Sequence, residues 1–225
     1  MRSLRYLTIA VLSTMMLASS GAAQTVIPVG RFRSVELHDG GDVILRHGSA
    51  QRVTLLGGSL RYSQVRLAEG QRLVIDSCGL DCPRDYRLRI EIVTPELSAV
   101  SVSDGGTVRT VGAFPAQATI ATSVAQGGTI DIRSVAADAV NASVDSGGRI
   151  FTNPRKSLTA AVKSGGAITY WGDVRVQRAI RDGGVVARGA AADAHKPLSE
   201  LSPPLLDVQP IAPVPPIPPL PNGGR

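Results

Sequence analysis

The chain has 225 residues, with 24 Lys and Arg against 18 Asp and Glu, for a formal net charge of +6. Setting aside Arg2 and Arg5 leaves 22 basic against 18 acidic residues, a charge of +4 that is scattered along the chain and offers no dense basic run for nucleic acid. Three histidines and two cysteines are too few and too dispersed for a zinc cluster, and no cofactor fingerprint is present.

The chain opens with "MRSLRYLTIAVLSTMMLASSGAAQ". Arg2 and Arg5 precede an apolar stretch over 7–18, and Gly21 and Ala23 have the spacing of a signal peptidase site. This pattern predicts a secretory signal peptide over 1–23, hence an exported protein, periplasmic or at the cell surface; the competing reading is an uncleaved N-terminal anchor. After signal removal no run approaches the ~20 apolar residues needed to cross a bilayer.

From Gly30 to Leu97 the sequence predicts alternating strands separated by turn residues, with Leu88, Ile90 and Ile92 on one face of "RLRIEIV". This irregular section is expected to pair with and cap the first regular coil. Within it, Cys78 and Cys82 in "SCGLDCPR" predict a small disulfide-closed loop, as export to an oxidising compartment favours. A redox pair or half a metal site are the alternatives, but the spacing is not C-x-x-C and nothing completes a metal site.

Paired glycines recur at Gly40–Gly41, Gly105–Gly106, Gly127–Gly128, Gly147–Gly148, Gly165–Gly166 and Gly183–Gly184, with steps of 22, 20, 18 and 18 residues from the second pair onward. Three residues before each pair stand Leu37, Val102, Val124, Val144, Val162 and Ile180. Three after each first glycine stand Val43, Val108, Ile130, Ile150, Ile168 and Val186. Such columns predict two short strands per repeat meeting at a glycine corner, each repeat stacked on the last about 4.8 Å away. The fold class is therefore all-β, a right-handed parallel β-helix (β-solenoid) over 24–197; an antiparallel sandwich with Gly-Gly hairpins would give the columns no reason to match. A side chain at the corner is expected to crowd its equivalents above and below. The polar residues before the pairs (Asp39, Asp104, Gln126, Ser146, Ser164 and Asp182) are expected to bond turn amides.

The motifs "FRSVELHDGGDVILRHG", "GQRLVI" and "RIEIVTPELSAVSVSDGG", with the repeated glycine turns, resemble the exported bacterial family known as putative auto-transporter adhesin, head GIN domain, over about Gly30 to Ala191. Family members often carry Gly-Ser-Gly or Ser-Gly-Asp where this chain has Gly-Gly. The resemblance implies the right-handed solenoid and export, and brings no catalytic residues with it.

Chemistry is sparse. His38, His47 and His195 read as surface residues. Asp104 and Asp182 would be roughly 19 Å apart at about 4.8 Å per coil, too far to act on one glycosidic bond. The more suggestive group is Phe151 and Trp171, predicted on the outward face of successive coils, with Arg133 and Asp131 on the coil before. Such aromatics can stack on a sugar or a protein partner, or be covered by a loop or by the tail. The tail, residues 198–225, holds nine prolines between Pro203 and Pro221 and is expected to be extended or disordered outside the fold. The functional expectation is a non-catalytic envelope protein, adhesin-like or a scaffold, binding envelope polysaccharide or a surface protein. A polysaccharide-active enzyme and a self-associating structural component are the alternatives.

Overall fold

In a computed structural model, residues 24–78 and 81–201 are described; the predicted signal peptide and the proline-rich run from Ser202 onward lie outside the described residues. The chain is all-β, with no α-helix among the described residues and two single 3-10 turns, at Ala191–Asp193 and Leu198–Glu200. Among the described residues no helix is long and apolar enough to cross a membrane.

Seven strands form the N-terminal section: β1 (Thr25–Ile27), β2 (Ser34–His38), β3 (Asp42–His47), β4 (Arg52–Gly57), β5 (Gln64–Ala68), β6 (Arg72–Asp76) and β7 (Arg89–Thr94). Five strand pairs come next, each joined by a glycine pair: β8 (Ala99–Ser103) with β9 (Thr107–Val111), β10 (Phe114–Ala125) with β11 (Thr129–Asp131), β12 (Val135–Val144) with β13 (Arg149–Thr152), β14 (Pro154–Val162) with β15 (Ala167–Tyr170), and β16 (Arg175–Ile180) with β17 (Val185–Arg188). They assemble into a nine-stranded sheet, β1-β4-β7-β3-β9-β11-β13-β15-β17, and an eight-stranded sheet, β16-β14-β12-β10-β8-β2-β6-β5. Both are mixed: successive repeats pair in parallel, while β1, β4 and β5 pair antiparallel at one end.

The aliphatic columns read from the sequence are physical neighbours. Val124 pairs with Val144 and Val144 with Val162, while Ile130, Ile150 and Ile168 line up across the other sheet. Each of these six side chains is at most 2% exposed. Their burial between the sheets is the main favourable contribution to the fold.

The repeats are not stacked in chain order. The unit β2–β3 lies between β6–β7 and β8–β9, because β6 and β7 fold back outside it before the chain crosses to β8. The antiparallel strands β4 and β5 then cover β7 and β6, as a cap requires. Among the described residues the opposite end has no such cover: Ile180, in the inward column, is 44% exposed. Arg178 stacks on the buried Ala160 but is itself exposed. A charge in an inward position on an edge strand opposes pairing with another strand.

The glycines resolve into two roles, and from Gly106 onward the expected crowding of equivalents holds for the second glycine of each pair but not for the first. The first glycine of each pair has open space where a Cβ would lie and a positive φ, as at Gly147 (φ 65°). From Gly106 onward the second is sterically closed: a Cβ on Gly148 would lie 2.5 Å from Cγ1 of Val124, and Gly148 itself has φ 84°. Its obstacle is thus a valine of the neighbouring repeat and the Gly128 carbonyl, which accepts the Arg149 amide at 3.0 Å. The preceding polar residues do not bond turn amides among the described residues. Asp39, Asp104, Gln126 and Asp182 instead take left-handed φ of 51–60°, a region that Asp tolerates better than Gln.

Cys78 and Cys82 form a disulfide. It closes so short a loop that removing it by Cys78→Ser with Cys82→Ser is expected to lower unfolding free energy by at most about 2 kcal/mol. A thermal melt of the double variant checks this, and a loss of cooperative folding would contradict it.

Candidate functional site

Phe151 in β13 stacks directly on Asp131 in β11, and the Trp171 amide, just past β15, bonds the Thr152 carbonyl at 3.0 Å. Arg133 comes two residues after Asp131, at the corner opposite the glycine turns. The four predicted residues come together on the outer face of the nine-stranded sheet. The two rings lie 6.3 Å apart, and the Arg133 guanidinium carbon is 5.7 Å from the Phe151 centroid and 5.3 Å from that of Trp171.

All five N–H bonds of that guanidinium are engaged. Nε and one NH2 hydrogen donate to the Asp131 carboxylate at 2.9 and 2.7 Å in a bidentate pair. NH1 donates to the carbonyls of Asp193 (2.9 Å) and Ala194 (3.3 Å), and NH2 to that of Lys196 (2.8 Å). Trp171 Nε1 donates to the Ala190 carbonyl at 2.8 Å. The rings are therefore not an open platform: Phe151 is 4% and Trp171 5% exposed, beneath residues 189–196. Gly189 permits the crossing, since a Cβ there would overlap the indole. Of the side chains in the covering segment, Lys196 pairs with Asp193 at 2.7 Å, a hydrogen bond that raises the ammonium pKa above its usual value. Beside the segment a depression of about 330 Å³ is bounded by Thr110, Ser134 and His195.

A second polar group, missed by sequence reasoning, surrounds His38. Glu36 Oε1 lies 3.2 Å from Nε2 and Asp76 Oδ1 lies 3.6 Å from Nδ1, while Arg72 and Arg66 pair with the two carboxylates. The Glu36 contact is close but off-line, so it is electrostatic without being a directed hydrogen bond. Asp76 reaches His38 only because β6 pairs with β2 in that register, which no local sequence signal announces. His47 instead packs edge-on against Phe114. Among the described residues no group of three or more His, Cys, Asp or Glu side chains is placed to hold a metal ion.

None of the curated proteins matches this chain. Among solved structures, it is similar to a putative adhesin from Bacteroides fragilis, at 16% identity and a TM-score of 0.48, covering 76% of this chain and 97% of that one. It is also similar to a putative adhesin from Parabacteroides merdae, at 15% identity and a TM-score of 0.34, covering 75% and 96%. A putative cell adhesion protein from Clostridium sporogenes shares 9% identity with a TM-score of 0.37, covering 74% and 98%. Residues 116–173, from within β10 to just past Trp171, match the family described as putative auto-transporter adhesin, head GIN domain.

Proposed function

We propose that this chain is an exported, non-catalytic binding or scaffold protein of the bacterial envelope, with a signal peptide over 1–23 and a right-handed β-solenoid over 24–197. The unbroken parallel register from β8 to β16 supports the solenoid reading. In this reading Phe151, Trp171, Arg133 and Asp131 serve binding indirectly, by fastening residues 189–196 to the solenoid.

One observation carries the binding role: a column of short side chains runs along the outer face of the eight-stranded sheet. Ser101, Ser123, Ser143, Ala161 and Ala179 stand in one stacked column. Two shallow depressions of about 380 and 390 Å³ lie along it. A preformed face several coils long suits an extended ligand, envelope polysaccharide or a segment of a surface protein, because little ordering entropy is lost on the protein side. Arg178 at the open end counts against self-association by end-to-end stacking.

Glycan arrays of envelope polysaccharides and envelope pull-downs with the mature protein test this. Ser143→Arg with Ala161→Arg is expected to weaken capture at least about tenfold while leaving the β-sheet spectrum unchanged, because two long charged side chains would stand proud of the face. Undiminished capture by that variant removes the face from the binding role. Failure of the wild type in both screens removes the role itself.

A further inference from the structure

At the capped end, on the corner opposite the glycine pairs, lies a cavity of about 620 Å³, a volume usual for small-ligand sites. Its wall is the segment Arg31-Phe32-Arg33, in which the backbone of Phe32 and Arg33 is held by hydrogen bonds. The Gln51 amide accepts from the Phe32 N–H and donates to the Phe32 carbonyl and to Thr94 Oγ1. The Arg33 amide donates to the Gln71 carbonyl at 2.9 Å, and the Arg33 carbonyl accepts from both the amide and the hydroxyl of Ser98 at 2.8 Å. Phe32 is buried to 2% exposure, and the arginines on either side of it are exposed.

The two arginines differ. Arg33 pairs with Glu96 at 3.3 Å on the rim. Arg31 enters no ion pair or hydrogen bond among the described residues, leaving one uncompensated guanidinium at the cavity. Ser49 and Gln71 supply polar groups beside it, and Val29, Ala50 and Pro95 supply apolar surface. The combination of one forked cation, hydroxyl and amide partners, and an apolar wall is complementary to a sugar ring bearing a single anionic group. A polyanion fits less well, because Glu96 would repel a second negative charge.

We propose that this cavity is a binding site for one anionic sugar residue, with the Arg31 guanidinium as its anion-binding group. The site lies outside the flat face and stands or falls separately from it. NMR titration of the mature chain with glucuronate, glucose 6-phosphate and glucose tests it. Glucuronate or glucose 6-phosphate is expected to shift Arg31 and Gln71 resonances at millimolar concentration, with glucose at least about tenfold weaker. Which of the two binds identifies the anion as carboxylate or phosphate. Arg31→Gln is expected to weaken the anionic sugar about tenfold, whereas Ser143→Arg with Ala161→Arg leaves it unchanged. Equal binding of glucose, binding unaffected by Arg31→Gln, or no binding of any of the three overturns the proposal.

Discussion

Gly148→Val is expected to destabilise the chain by about 3–5 kcal/mol, a large share of the ~5–15 kcal/mol that holds a domain folded. Two penalties add. A Cβ at Gly148 would lie 2.5 Å from Val124 Cγ1 and 3.1 Å from the Gly128 carbonyl, so a neighbouring repeat must move. A β-branched residue must also adopt φ 84°. The adjacent Gly147→Asn is the control. Its site has φ 65° and no atom within 4 Å of an added Cβ, and asparagine tolerates the left-handed region, so the loss is expected to stay within about 1 kcal/mol. Thermal melts followed by circular dichroism should separate the two by about 10 °C. Equal losses would mean that the second glycine is not closed by the valine column. The same reasoning extends to Gly128 and Gly166, whose added Cβ would lie 2.6 Å from Val102 and Val144 respectively.

This asymmetry marks where sequence reading stopped. The columns Val102, Val124, Val144 and Val162 were legible because stacking forces every repeat to repeat its inward residues. The sign of φ was not, so Asp104 and Gln126 read as hydrogen-bonding residues when their backbone, with φ of 60° and 57°, is what the turn uses. The stacking order of the N-terminal units was equally hidden. Leu37 pairs with both Ile75 and Val102, contacts 38 and 65 residues away in sequence, and the β6–β7 corner carries the cysteine loop in place of a glycine pair. For the candidate site, strand parity and repeat spacing placed Phe151, Trp171, Arg133 and Asp131 as neighbours. What covers them left no comparable signal: "GAAADAHK" has no large apolar residue, and Arg133 and Trp171 hold it through backbone carbonyls that any sequence possesses.

That mode of attachment makes the cover separable from the fold. Arg133→Ala removes both functions of the guanidinium at once: it frees the three carbonyls of 193, 194 and 196, and it leaves the Asp131 carboxylate, 11% exposed, without its partner. Loss of one member of so enclosed an ion pair is expected to cost about 3–5 kcal/mol. The sole tryptophan reports the local event, because release of the Ala190 carbonyl wets the indole and should shift its emission to longer wavelength. Subtilisin, a protease of broad specificity, should likewise cut faster within residues 189–196. Gly189→Leu distinguishes release of the cover from loss of the ion pair: its side chain cannot share space with the Trp171 ring, yet Asp131 keeps Arg133. This variant should show the emission shift and the faster cleavage with the melting temperature of the sheets nearly unchanged, since residues 189–196 add none of the buried aliphatic columns. Unshifted emission in Gly189→Leu would mean that 189–196 does not seal the rings in solution, and Phe151 and Trp171 would then stand open as a binding platform on the nine-stranded sheet.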